Sequence, residues 1–234
     1  MNKKLYVFPK CKEYELEINK MEGLARLYAF PNKPTINKYA PLVILDSGAY
    51  NIYSNGGYID AGYMVRLSNH YKKYDRENVI CVAPDVFLNP QQSMFNMYKW
   101  FDRGLYPQVA AVIQAERKGY IDINNLIAQV DYYINFTCVM FFSNNGLTGK
   151  LAKSFKLEKL FKYMKDKGVK WIHVLGAGWS EEDIKDWKSI KYFDSLDSIA
   201  YYSTEDKNEF GSLHPITNIE KILTIMEEGD NYVY

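Results

Sequence analysis

Eight short runs of β-branched, aliphatic and aromatic residues recur along the chain, and stretches with helical periodicity separate most of them. The expected strands are Leu5–Phe8, Arg26–Phe30, Leu42–Asp46, Val79–Asp85, Gln108–Gln114, Cys138–Phe142, Trp171–Leu175 and Tyr192–Asp197. Helical patterns cover Asp60–Tyr74, Pro90–Arg103, Ile123–Tyr133, Leu157–Lys167, Glu181–Lys188 and Ile219–Glu228. Strand–helix alternation implies a parallel sheet with helical crossovers. Eight strands in 234 residues suit an α/β fold, a single compact (β/α)8 TIM-like barrel spanning 1–234; an open doubly wound sheet is the alternative. No linker, repeat or low-complexity tract divides the chain.

Polar residues collect at the ends of these runs. Asp46 and Ser47 close the third, Asp85 the fourth, Gln114 the fifth, Ser143–Asn145 the sixth and Asp197 the eighth, while the seventh runs into Gly176-Ala177-Gly178. A single strand-ending Asp commonly caps the next helix. In a barrel, however, all C-terminal strand ends converge on one mouth, where the chemistry of such folds sits.

Composition narrows that chemistry. Cys11, Cys81 and Cys138 stand apart from one another, which argues against a disulfide framework or a zinc knuckle. No apolar run approaches membrane-spanning length and the N-terminus is polar, so a cytoplasmic protein without metal or other cofactor is expected. The segment NNGLTGK lacks phosphate-loop spacing, and His70, His173 and His214 have no sequence-adjacent partner. His173, inside an apolar run, reads as a core residue. Carboxylates remain as the available machinery, and paired carboxylates are the usual apparatus for breaking glycosidic bonds. Tyr50, four residues beyond Asp46, offers a stacking face, and Asp85 with Gln114 offers the acceptor and donor groups that a base edge pairs with.

The net charge of +1 hides an asymmetry: residues 181–234 hold 13 acidic and 5 basic side chains. Lysines at 150, 153, 156, 159, 162, 165, 167 and 170 form the richest basic stretch, readable as a solvated helix face or a phosphate-tracking stripe. Tyrosines number 21, which suits base stacking but also follows from an AT-rich coding bias.

The ordered set LDSGAYN, VAPDVF, AVIQAE, FFSNNGL, HVLGAGWSEEDI and SLDSIAYY resembles the tRNA-guanine transglycosylase superfamily, particularly its DNA-acting deazaguanine-modification branch. The resemblance covers about Leu42 to Tyr202. It implies that Asp197 is the nucleophile that attacks the sugar C1′, with neighbouring Asp194 as a rival, and that Asp46 does general acid/base work. By the same resemblance Ser47 belongs to the turn of Asp46 and Tyr50 stacks on the base. Asp85 and Gln114 read the base edge. Gly146, Leu147 and Gly176 belong to the base pocket, and Asn144 and Asn145, which replace the family's simpler Gly-Gly turn, add two amides beside it and leave the identity of the base open. The tRNA enzymes carry a C-terminal cysteine-rich zinc subdomain and are longer, whereas no cysteine follows Cys138 here. That shifts the expected partner from tRNA to DNA, with a free modified base as co-substrate and Lys72, Lys73, Arg76, Lys150 and Lys153 on the phosphates. The implied reaction is exchange of a DNA base for a 7-deazaguanine derivative. The alternatives are a DNA glycosylase that leaves an abasic site, as in anti-phage defence, and a non-catalytic nucleic-acid-binding barrel.

Overall fold

The computed structural model describes residues 4–34, 39–118, 120–144, 147–155, 157–178, 180–198 and 214–228. Each apolar run contributes a strand: β1 Leu5–Pro9, β2 Ala25–Ala29, β3 Val43–Asp46, β4 Val79–Cys81, β5 Ala111–Ile113, β6 Val139–Ser143, β7 Trp171–Leu175 and β8 Ser195–Asp197. Helices α1 Glu15–Ile18, α2 Ala49–Ser54, α3 Ala61–Tyr71, α4 Pro90–Asp102, α5 Ile123–Tyr133, α6 Gly149–Ser154, α7 Leu157–Asp166, α8 Glu181–Ser189 and α9 Pro215–Glu227 occupy the connections. All six expected helices are present. The three that escape the sequence pattern (α1, α2 and α6) span at most six residues, less than the two turns that periodicity requires.

All strand pairs are parallel, and the sheet runs β4-β3-β2-β1-β8-β7-β6-β5. That order has no reversal of the kind a doubly wound sheet requires. The edge strands meet through a parallel bridge between Val82 and Ala110, where Ala83 N donates to Ala110 O at 2.8 Å and Ala110 N to Cys81 O at 2.7 Å. The sheet therefore curls towards closure in a TIM-barrel-like arrangement. β4 is shorter than its apolar run because Pro84 lacks a ladder donor and the Asp85 N–H turns back to Ala83 O.

Strand alternation sorts the core into two parts. Val7, Ala25, Leu27, Leu42, Ile44, Val82, Ala110, Val112 and Phe141 fill the concave interior of the sheet. Residues of opposite parity, such as Phe8, Tyr28, Val43, Leu45, Ile113, Met140, Ile172 and Leu196, bury against the helices. Asp46 shares the inward parity of Ile44, and Asp197 shares that of Ser195, so both carboxylates lie on the inner side at the C-terminal strand ends.

The lysine-rich stretch is broken at Phe155 into α6 and α7, so it does not form one helical stripe. Four of its lysines are ion-paired: Lys153 with Asp186, Lys162 with Asp166, Lys165 with Asp194 and Lys167 with Asp131. α6 lies hard against α8. A Cβ on Gly149 would come within 2.5 Å of the Asp186 Cβ and 2.7 Å of the Trp187 nitrogen, so only glycine permits this approach. Gly149→Ala is expected to cost about 2 kcal/mol by overpacking and to lower the Tm by roughly 4–8 °C, as thermal unfolding followed by circular dichroism would show.

Candidate active site at the C-terminal strand ends

Asp46 ends β3, and its Oδ2 accepts the Gly48 N–H at 2.9 Å. That bond depends on a tight turn. Gly48 has φ +77°, and a Cβ there would approach Phe30 O to 2.6 Å, so the backbone at 48 tolerates only glycine. Next to it, the fully buried Ser47 donates its hydroxyl to Asp85 Oδ1 at 2.6 Å, while the Tyr63 hydroxyl donates to Ser47 O. The sequence DSGAY thus folds into a turn that holds Asp46 directly and Asp85 through Ser47.

Asp197 ends β8 and is almost completely buried. Its Oδ1 accepts the Gly176 N–H at 2.9 Å and faces His173 Nε2 at 3.0 Å. The register His173↔Ser195 between β7 and β8 brings that imidazole to the nucleophile candidate. His173 Nδ1 lies 2.8 Å from Ser195 Oγ, which also accepts the Trp171 indole N–H at 2.9 Å. His173 is therefore not an inert core residue but a partner of the carboxylate. Its position two residues before Leu175 in a barrel-facing register was the available signal. The rival Asp194 sits at the other end of β8, where its Oδ2 accepts Ile172 N and Lys165 Nζ, each at 2.7 Å. Asp194 is a structural residue, and of the two only Asp197 reaches the mouth.

Burial raises the carboxyl pKa of Asp85 to about 7, helped by the charge of Asp46 and opposed by the Ser47 hydrogen bond. Burial likewise raises Asp46 to about 6; the Gly48 N–H opposes the shift, and the charge of Asp197 adds to it. A carboxyl that holds its proton near neutrality can donate it to a leaving group and take one back. The mouth thus combines a hydrogen-bonded carboxylate with two proton-holding carboxyls. Among the described residues, no group of three or more His, Cys, Asp or Glu stands as a metal site.

Other expected site residues divide. Tyr50 on α2 is 62% exposed and meets Phe87 edge-on with ring centroids 5.3 Å apart; Tyr53, 53% exposed, contacts the same ring at 5.1 Å. Two braced tyrosines are thereby presented to solvent beside Asp46. Asn144 is buried and its amide donates to Gly176 O at 2.5 Å, tying the β6–α6 loop to the β7–α8 loop. Leu147 is buried beside it, whereas Asn145 and Gly146 lie outside the described residues. Asp183, absent from the expected set, braces the same two loops by accepting Gly149 N at 2.5 Å and Gly178 N at 3.1 Å.

Gln114 departs from expectation. Its side chain is fully buried, with Nε2 donating to Val86 O at 2.8 Å and Ser93 Oγ at 2.9 Å while Oε1 accepts Leu88 N at 2.8 Å. Both amide protons and the carbonyl are occupied in fixing the β4–α4 loop, so this amide does not present an edge to a base. Lys72, Lys73 and Arg76 also depart from expectation. They connect the C-terminus of α3 to the start of β4 and so lie at the opposite end of the strands from the carboxylates. Lys150, exposed in the first turn of α6, and Lys153 follow β6 and stay on the site's side.

Comparison with known proteins finds no matching family model and no matching curated protein. Among the described residues no helix is long and apolar enough to cross a membrane.

Both carboxyls, Asp85 buried and Asp46 partly so, bind protons more tightly in the folded state than in the unfolded chain, where Asp titrates near 3.8. Their contribution to stability is full below about pH 4 and is lost as pH rises through about 6 to 7. Asp85→Asn keeps the Ser47 acceptor and cannot ionise. In urea titrations it should gain stability relative to wild type from pH 4.5 to 7.5; a difference that stays flat with pH would contradict the buried-carboxyl account.

Proposed function

We propose that the protein breaks the N-glycosidic bond of a nucleobase in DNA through Asp197 as nucleophile, exchanging the base for a 7-deazaguanine derivative. The observation that carries this reading is the pairing, at one mouth, of a carboxylate fixed by His173 and Gly176 with Asp46, whose burial favours its protonated form. Attack by Asp197 on C1′ needs a carboxylate of fixed orientation, and departure of the base needs a proton. Asp46 supplies that proton and then accepts one from the incoming group. Asp85, linked to the Asp46 turn through Ser47, accepts or donates at the base edge according to its protonation.

The target nucleotide must leave the duplex, because C1′ and the base edge are otherwise inaccessible. Unstacking costs a few kcal/mol. Stacking on Tyr50 and Tyr53 offsets that cost, as aromatic–base contacts are worth about 1–3 kcal/mol each. Lys150 supplies a phosphate contact close to the site.

A second reading is hydrolysis, in which water replaces the incoming base and an abasic site remains. Commitment of Gln114 to the β4–α4 loop favours it, since recognition of a guanine-like edge then lacks its expected amide.

Incubation with single- and double-stranded DNA, natural and modified, followed by alkali treatment and mass spectrometry of released bases, distinguishes the readings. Wild type should release a base that Asp197→Ala does not, and Asp46→Asn should slow release by roughly 10² to 10⁴. Exchange that needs an added 7-deazaguanine base supports the first reading, and release without one supports hydrolysis. DNA binding without release under any condition would leave the non-catalytic barrel. Lys150→Ala should weaken DNA binding and lower the slope of log affinity against log salt by about 1.

A further inference from the structure

We propose that Trp171, Ser195 and His173 form a directed hydrogen-bond chain that positions Asp197 so that Oδ2, not Oδ1, attacks the sugar. The inference rests on the nucleophile reading above and assigns positioning roles to three residues. The direction of the chain follows from its donors. An indole N–H only donates, so the Trp171 ring gives its hydrogen to Ser195 Oγ at 2.9 Å. Asp197 Oδ1, 3.0 Å from Nε2, only accepts, so the ring hydrogen sits on Nε2 and Nδ1, 2.8 Å from Ser195 Oγ, accepts the one hydroxyl proton of Ser195. Nε2–H donates to Asp197 Oδ1 at 3.0 Å. Ser195 and His173 are fully buried, and the Phe141 ring packs against the imidazole at 4.7 Å between centroids, so neither residue has room to reorient.

The two oxygens of Asp197 are thereby inequivalent. Oδ1 receives both His173 Nε2–H and Gly176 N–H, whereas Oδ2 receives no hydrogen bond among the described residues. In the first step an Oδ2 lone pair forms the bond to C1′ as the C1′–N bond breaks; its electron pair leaves with the base, which takes a proton from Asp46. Oδ1 is then the carbonyl oxygen of the sugar ester. In the second step water or an incoming base, losing its proton to Asp46, attacks C1′. The C1′–Oδ2 electron pair returns to a carboxylate whose charge is shared with Oδ1, where two donors are already in place. Pre-set donors of this kind are commonly worth 10²–10³ in turnover.

Turnover of wild type, His173→Leu and His173→Gln on the oligonucleotide that wild type cleaves tests the chain. Gln keeps an N–H at the reach of Nε2. We expect kcat for His173→Leu to fall about 10²–10³-fold with KM within about 3-fold, and His173→Gln to recover to within about 10-fold of wild type. Turnover of His173→Leu within about 3-fold of wild type, or an equal loss in both variants, would overturn the role. Histidine ¹⁵N NMR needs no substrate and covers the case of a misfolded Leu variant. Wild type at pH 7.5 should show the Nε2–H tautomer, and Asp197→Ala, which removes the Nε2–H acceptor, should lose that tautomeric preference. An Nδ1–H or doubly protonated ring in wild type overturns the chain. A wild type with the Nε2–H tautomer but no release from any DNA overturns the nucleophile reading instead, because the chain is then seen without the chemistry.

Discussion

Burying carboxylates is expensive unless each finds donors or keeps its proton, and the C-terminal mouth of this curled parallel sheet is organised around that constraint. Asp197 is satisfied by donors: a backbone N–H of the β7–α8 turn and the imidazole of His173. At Asp46 the backbone N–H groups of Gly48 and Ser47, and at Asp85 the Ser47 hydroxyl and its own backbone N–H, do not outweigh burial, so both retain protons towards neutral pH. One fold thus supplies a carboxylate and proton-holding carboxyls in electrostatic contact.

The rest of the TIM-barrel-like arrangement keeps those donors in place. Below the mouth the interior is apolar, from Val7 to Phe141, so the polar layer rests on a packed floor. Above it, the loops are braced by single side chains. Gln114 fixes the β4–α4 loop that carries Asp85 into the site, and Asn144 and Asp183 join the β6–α6 and β7–α8 loops. Gly149 lets α6 lie directly on α8, and the Asp183 contact closes over that approach. These residues act on the site by positioning it.

The fold was legible in the sequence because strand and helix periodicities are local properties: each apolar run became a strand, down to β8 Ser195–Asp197. Convergence of Asp46, Asp85 and Asp197 was legible through one topological rule, that parallel strands present their C-terminal ends together. What escaped was side-chain commitment. Nothing local to AVIQAE shows that the Gln114 amide is spent on a loop two connections away, and the inward parity of His173 in WIHVL gives its face but not its pairing with Asp197 of β8. Likewise, spacing of three made one stripe of lysines that tertiary structure splits at Phe155 and pairs with carboxylates on α5, α7, α8 and the lead-in to β8. The charge of residues 72, 73 and 76 suits phosphate contact, whereas connection order puts them at the opposite end of the strands from the carboxylates.

In the proposed reaction Asp197 becomes covalently attached to the sugar. Its most direct test is acid quenching of the protein during reaction with a cleavable oligonucleotide, followed by proteolysis and peptide mass mapping. The account predicts an added nucleotide mass on the peptide containing Asp197, lost on Asp197→Ala. Base release that proceeds with no adduct at any time point, or an adduct mapped to Asp46 or Asp85, would contradict it.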